Sequence, residues 1–182
     1  MAFTRMDQLR ADSEDVRVIG VALGQRQATV PEVIKEMLRK LESHVDGFPM
    51  DQLEHALQTA TRAERAGASE EMVVAALCHD IGKVISDANH GAISAEIIKP
   101  YVSRDTYELI LTHQDFQGRY IYAFIGKDPE ARLNYSDKPW YKLACQFSDA
   151  WDQTAFDPDY DSLPLSHFEP MIDRVFARPV NH

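Results

Sequence analysis

The sequence predicts an all-α, single-domain bundle of about seven helices over residues 29–182, and three observations carry that expectation. Apolar residues recur at three- and four-residue spacings. Ser, Thr or Asp followed by acidic residues stands ahead of most of those runs. With 182 residues and 45% hydrophobic composition, the chain has enough apolar surface for one core and little for a second. No internal repeat or low-complexity run interrupts it. Residues 1–28 stay open, because Val16 to Leu23 reads equally as a short strand or a helix and Gly20 favours neither.

From Thr29 the elements follow in order. Thr29-Val30-Pro31-Glu32 has capping-box spacing with a proline in the first turn, and Val33, Ile34, Met37, Leu38 and Leu41 then predict a helix ending near His44. Asp46-Gly47-Phe48-Pro49 is a turn. Asp51, three residues ahead of Glu54, opens a second helix with His55 in its first turn and Gly67 to close it. Ser69, backed by Glu70 and Glu71, caps a third, whose continuous apolar run Met72–Cys78 predicts burial on all sides. Gly82 is expected to end that helix, leaving His79 and Asp80 in its last turn, facing inward. His90 to Ile98 forms a fourth helix, stopped before Pro100. Ser103 caps a fifth, with His113 near its end.

Gly118 to Gly126 is ambiguous, with its helical surroundings favouring helix. Asn134 to Lys138 is a polar break, after which Pro139 starts a sixth helix. Its inward stripe is Trp140, Leu143, Ala144, Phe147 and Trp151, with Asp149 and Asp152 one turn apart on its flank. Asp157 to Asp161 is a solvated loop or a lid. Ser166-His167-Phe168-Glu169 reads as a capping box for a last helix through Met171, Ile172, Val175 and Phe176.

The charge balance narrows the partners. Against 19 Lys and Arg stand 29 Asp and Glu, a net charge of −10, so little would neutralise a phosphate backbone and a nucleic-acid partner is not expected. No stretch approaches the roughly 18 apolar residues that span a bilayer, and the start Met1 to Asp7 has no apolar signal core. A cytoplasmic protein acting on a small molecule is the expectation. Cys78 and Cys145 lie far apart in apolar segments and read as free buried thiols. Tyr120, Tyr122 and Phe124 read as core or lid packing rather than substrate stacking.

The chemistry concentrates at His79-Asp80. A carboxylate at the end of an apolar run needs a cation nearby, either a metal or a Lys or Arg, because an unpaired buried charge costs several kcal/mol or more. Taken singly, each histidine has a bland reading: His55 as a helix-start residue, His113 as a helix-dipole partner. Together His55, His79, Asp80, His90, His113 and Asp152 offer four imidazoles and two carboxylates from five predicted helices. That exceeds what one tetrahedral ion needs, and two ions sharing Asp80 is the economical arrangement.

The segments Gln52 to Gln58 and Met72 to Lys83, with the distant aspartate after Phe147, resemble the HD-domain superfamily over roughly Asp51 to Phe176. They look most like its di-iron oxygenase branch, which includes myo-inositol oxygenase and the phosphonate-cleaving members. The resemblance implies an HD-domain helical bundle that binds two irons in a mixed-valent Fe(II)/Fe(III) state, with dioxygen as co-substrate. It implies His55, His79, Asp80 and Asp152 on one iron and Asp80, His90 and His113 on the other. Oxidative cleavage of a C–C or C–P bond in a small hydroxylated substrate follows from it. Lys83 matches a lysine that touches substrate in that branch, although a solvated lysine after a helix end is an equal reading.

Two departures bear on the substrate. Where the phosphonate cleavers carry cations, this chain has Gln117 and Asp149, and the stretch Val45 to Pro49 lacks their tyrosine and glutamate. Phosphonate therefore ranks lower, and Asp149 suits a hydroxylated or ammonium-bearing substrate. Arg119 stands by to supply positive charge. The rival activity is metal-dependent phosphohydrolysis of a nucleotide or phosphate ester. Against it, His113 is followed by Gln114 where di-iron hydrolases of the superfamily usually show adjacent histidines.

Overall fold

The computed structural model describes residues 3–180 and shows α-helices joined by turns and 3₁₀ segments, with no strand among those residues. The helices are α1 (Glu14–Gln27), α2 (Val30–Lys40), α3 (Gln52–Arg65), α4 (Glu70–Cys78), α5 (His90–Ile98), α6 (Arg104–Ile121), α7 (Tyr141–Gln146) and α8 (Leu165–Val175). That is eight among the described residues, one more than expected. The addition is α1, in the stretch the sequence left open; Ser13 caps it by accepting from the Val16 N–H, and it buries no residue. Gln27 ties its end to the bundle, with Nε2 donating to the Tyr101 hydroxyl at 2.9 Å. No helix among the described residues is long and apolar enough to cross a membrane.

At the centre lies α4. Every residue from Met72 to Cys78 is buried, as a helix apolar on all sides requires. Around it pack α3, α8 and α6, while α5 lies along α6 and α2 closes over α8. Asp51 caps α3 by accepting from the Glu54 N–H at 2.8 Å. At the other end of α3, Ala68 N–H reaches the Ala63 carbonyl (3.1 Å) and Gly67 N–H that of Glu64 (2.9 Å), a Schellman closure that the φ of +77° at Gly67 permits. Glu71 joins α4 to α6: it accepts from the Ser103 N–H and hydroxyl and from the Thr106 hydroxyl, at 2.6–2.9 Å.

Several boundaries differ from expectation. Thr29 does not cap α2; its backbone is already helical after α1, and its hydroxyl donates back to the Arg26 carbonyl. Nor does Ser166 open α8, which begins at Leu165 behind Pro164 with no side-chain cap. Helix α4 ends at Cys78 before Gly82 is reached, and Gly82 lies within the 3₁₀ turn Ile81–Val84. Its role is close approach: a Cβ there would sit 2.4 Å from the His90 carbonyl oxygen. The ambiguous run after His113 is helical as far as Ile121, placing His113 mid-helix in α6, and continues as a 3₁₀ turn to Ile125. Within that run Tyr122 is buried and Phe124 is 87% exposed, so Phe124 fills no core.

Beyond α7 the helix widens to a π-helix over Phe147–Asp152. The Gln153 N–H bonds to the Ser148 carbonyl at 3.1 Å, five residues back. The expected shared flank of Asp149 and Asp152 is lost with that change of pitch: Asp152 is fully buried, whereas the Asp149 side chain is 40% exposed.

Candidate metal centre

Three buried elements deliver one cluster of donors. His55 projects from the first turn of α3, His79 caps the end of α4, and Asp152 ends the π-helix. His55 Nε2 lies 3.2 Å from His79 Nε2 and 3.2 Å from Asp152 Oδ1, and His79 Nε2 is 3.5 Å from that same oxygen. Asp80, next along the backbone, points Oδ2 at this cluster, 3.6 Å from His79 Nε2 and 3.8 Å from His55 Nε2. Its other oxygen, Oδ1, faces a second cluster, 3.1 Å from His90 Nε2 and 3.4 Å from His113 Nε2. Gly82 and Gly91 let α5 close in: a Cβ on Gly91 would meet the His113 ring and the Gln114 amide at 3.1 Å.

These spacings suit ions. Donors about 2.1 Å from a metal sit about 3.0 Å apart in an octahedron and about 3.4 Å apart in a tetrahedron, close to the separations seen in both clusters. The hydrogen-bonding pattern argues the same way. Each of the four imidazoles turns Nδ1 to a backbone carbonyl: His55 to Ala155, His79 to Ala76, His90 to Asp87 and His113 to Ile110, at 2.7–3.0 Å. A carbonyl only accepts, so Nδ1 carries the proton, and in the neutral ring Nε2 presents a lone pair to the centre. Lone pairs of His55 and His79 facing each other at 3.2 Å repel unless a cation or a proton lies between them. Asp80 Oδ1 and Asp152 Oδ2 are buried without a hydrogen-bond partner, a costly condition that a metal relieves.

Burial disfavours the charged form of Asp80 and Asp152. The facing histidines overturn it, with Lys83 adding to the effect at Asp80, and both carboxyls are held below the usual range. Burial likewise opposes charge on His90, but its contact with Asp80 prevails and raises it. Lys83 donates to Gln52 Oε1 and lies against Asp80 Oδ2, both at 2.7 Å.

A cavity of 280 Å³ opens onto Asp80, His55 and His90 and is lined by Lys83. The rest of its lining is Phe48, Tyr120, Ile121 and Phe156 with the amides of Gln117 and Gln153. Phe156 stacks on the His55 ring at 4.3 Å and Phe48 stacks on Phe156 at 4.9 Å. The sequence reading did not identify this aromatic wall or Gln52 and Gln153. Phe48 stands 44% exposed in a turn whose Asp46 and Gly47 both have positive φ, a position with no local signal for a pocket.

All six residues with ligand chemistry thus converge, and Lys83 joins them. The substrate contacts fare differently. Gln117 lines the cavity, yet its Nε2 is committed to Asp152 Oδ1 at 3.0 Å. Arg119 is exposed and outside the lining, because its place on α6 faces away. Asp149 is outside it too; Oδ1 accepts from the Arg132 guanidinium and the Tyr120 hydroxyl, each at 2.9 Å, which matches its charge.

A family model described as HD domain matches residues 53–156, which span the four inner donors and both outer histidines. Over 161 residues the chain is 51% identical to a 1-hydroxy-2-(trimethylamino)ethylphosphonate dioxygenase (glycine-betaine-forming) of Leisingera caerulea, covering 71% of this chain and 81% of that protein. Over 100 residues it is 29% identical to a hydroxymethylphosphonate dioxygenase of Gimesia maris, covering 47% of this chain and about half, 50%, of that relative's length.

Proposed function

The chain belongs to the HD-domain family, as an oxygenase of that family, and from this premise we propose that it cleaves the C–P bond of a small α-hydroxyphosphonate with dioxygen, using two irons shared through Asp80. The observation that supports it most is the Asp80 carboxylate, one oxygen in each donor cluster, beside a cavity of substrate size. His55, His79, Asp80 and Asp152 would hold one ion and Asp80, His90 and His113 the other. When bound, a mixed-valent Fe(II)/Fe(III) pair supplies Lewis acidity toward substrate oxygens and electron transfer to dioxygen. The sequence alone ranked phosphonate low because Gln117 and Asp149 stand where cations were expected; the named activities of both relatives reverse that ranking.

The residues of the chain divide the remaining work. Two acceptors, Asp80 and Gln52, lie against the Lys83 ammonium, which has three N–H donors, so one is left to meet a phosphonate oxygen in the cavity. Asp80 and Asp152 stay anionic at neutral pH and keep their share of the ion charge matched. The stacked Phe156 and Phe48 cover one side of His55 and keep water from it. The balance closes without a further reductant: an α-hydroxyphosphonate and one dioxygen yield a carboxylate and inorganic phosphate.

The test is oxygen uptake and phosphate release by iron-loaded protein given hydroxymethylphosphonate, with phosphate esters and nucleotides under manganese as the hydrolase control. One phosphate per dioxygen consumed is expected, and the half-reduced pair should give an electron paramagnetic resonance signal. Ester hydrolysis with no oxygen uptake overturns the proposal.

A further inference from the structure

Residues 155–157 belong to no helix or turn, yet two of them act on His55. Ala155 offers its carbonyl to His55 Nδ1 at 3.0 Å, and Phe156 lies over the ring at 4.3 Å. An irregular segment has no backbone ladder of its own, so its place is set by the groups that bind it. Upstream, the Ala155 N–H donates to the Asp152 carbonyl at 3.0 Å. Downstream, the segment is held by Gln58.

Gln58 follows His55 on α3 and is fully buried. Its amide meets both backbone groups of Asp157: Nε2 donates to the carbonyl at 2.8 Å, and Oε1 accepts from the N–H at 3.3 Å. The same Nε2 lies 3.3 Å from Glu54 Oε1 and 3.4 Å from Met50 Sδ. An amide presents a donor and an acceptor side by side, whereas a carboxylate of equal length would turn acceptors alone toward the Asp157 carbonyl and Glu54. A closed ring of contacts results. His55 and Gln58 share α3, and Asp152 and Asp157 flank the irregular segment. The two sides meet at one end through His55 Nε2 and Asp152 Oδ1, 3.2 Å apart, and at the other through the amide clamp, with the Ala155 carbonyl on His55 between them. Beyond the ring, the Leu163 N–H donates to the Thr61 hydroxyl at 3.0 Å, which holds the following loop and no donor.

On the reading that His55 and Asp152 hold one ion, we propose that Gln58 is a positioning residue of the inner site: by clamping Asp157 it keeps the Ala155 carbonyl on His55 Nδ1 and so aims Nε2 at the centre. Without the clamp the carbonyl is free to withdraw, and the ring loses the bond that sets its angle.

Gln58→Met, which keeps the side chain's length, and Gln58→Glu test this against Thr61→Val, which frees the Leu163 N–H but leaves Asp157 held. Anaerobic Fe(II) affinity, read by chelator competition, should fall about three- to thirtyfold in both Gln58 variants and stay within about twofold in Thr61→Val. In metal-free protein, NMR of isotope-labelled histidine should show the His55 Nδ1 proton exchanging with solvent about tenfold faster or more in the Gln58 variants and unchanged in Thr61→Val. Parent-like affinity or parent-like exchange in both Gln58 variants overturns the clamp. An equal loss in Thr61→Val overturns it too, since loosening of the loop as a whole would then account for the effect. If the parent chain binds no Fe(II), the donor reading fails instead, and exchange at His55 Nδ1 still decides the clamp.

Discussion

The inner donor cluster and the outer one share Asp80 but stand on different ground. His55, His79 and Asp152 are 0–1% exposed and come from α3, α4 and the π-helix, the elements that close the core. In the outer cluster His113 is as deeply buried, but the His90 side chain is 12% exposed, and the chain before it, Asp87 to Asn89, lies on the surface. The inner site is built into the core, on buried positions of the elements that pack around α4. The outer site depends on α5 keeping its place against the Gly82 turn.

Asp80→Ala attacks what the two halves share and has the largest expected effect. Both clusters lose a donor, so on the proposed two-iron reading iron content should fall from two ions per chain to fewer than one, with oxygen uptake down by about a thousandfold or more. Metal analysis of the purified variant checks it; two ions retained would show that the carboxylate bridges nothing.

His55→Ala and His90→Ala then separate the halves. Removing His55 opens a gap in the core beneath Phe156 and should lower apo-protein stability by about 2–4 kcal/mol, besides the loss of the inner ion. Removing the less deeply buried His90 should cost about 1 kcal/mol or less and leave one ion bound. Chemical denaturation and metal counts on the pair decide this, and equal destabilisation would erase the distinction between the sites.

A finer probe is Gln117→Leu, which deletes the N–H on Asp152 Oδ1 and touches no outer donor. Losing a partner that orients a ligand typically lowers metal affinity by about 10–100-fold. Chelator competition should show that loss for one of two ions only; a matching drop at both would mean that Gln117 acts through the bridge.

The two halves were unequally legible in the sequence. Helix α5 runs from His90 to Ile98 as expected, because Pro100 is a local stop signal that no tertiary contact overrides. His79 and Asp80 stood out because a carboxylate ending the apolar run Met72–Cys78 needs a partner, and His55, His90, His113 and Asp152 joined them through their number and the family resemblance. Asp149 was misjudged since nothing local announces a π-helix: an ordinary helix would have set it on the flank of Asp152, and the wider turn sends it to Arg132. Gly82 was read as a helix stop when its real constraint is the His90 carbonyl, which only the folded chain brings near. The Phe48–Phe156–His55 stack joins residues more than a hundred positions apart in chain order and leaves no periodic trace.

The smallest effect tests whether burial alone positions the inner site. At the start of α4, Glu70 pairs with Arg174 of α8 at 2.6–3.1 Å, and the pair is 39–59% exposed. Arg174 lowers the Glu70 carboxyl, so its contribution is present above the unfolded value of about 4.3 and is lost as pH falls through the lower folded value. Exposed pairs contribute about 0.5 kcal/mol, which for a chain of this size shifts Tm by about 2 °C at most. Glu70→Gln should therefore melt slightly lower at pH 7, converge with the parent protein below about pH 4, and keep the parent's metal content, because the buried run Met72–Cys78 fixes His79. Loss of the inner ion in this variant would mean that α4 is held in register from its exposed end, and that the inner site owes less to the core than its burial implies.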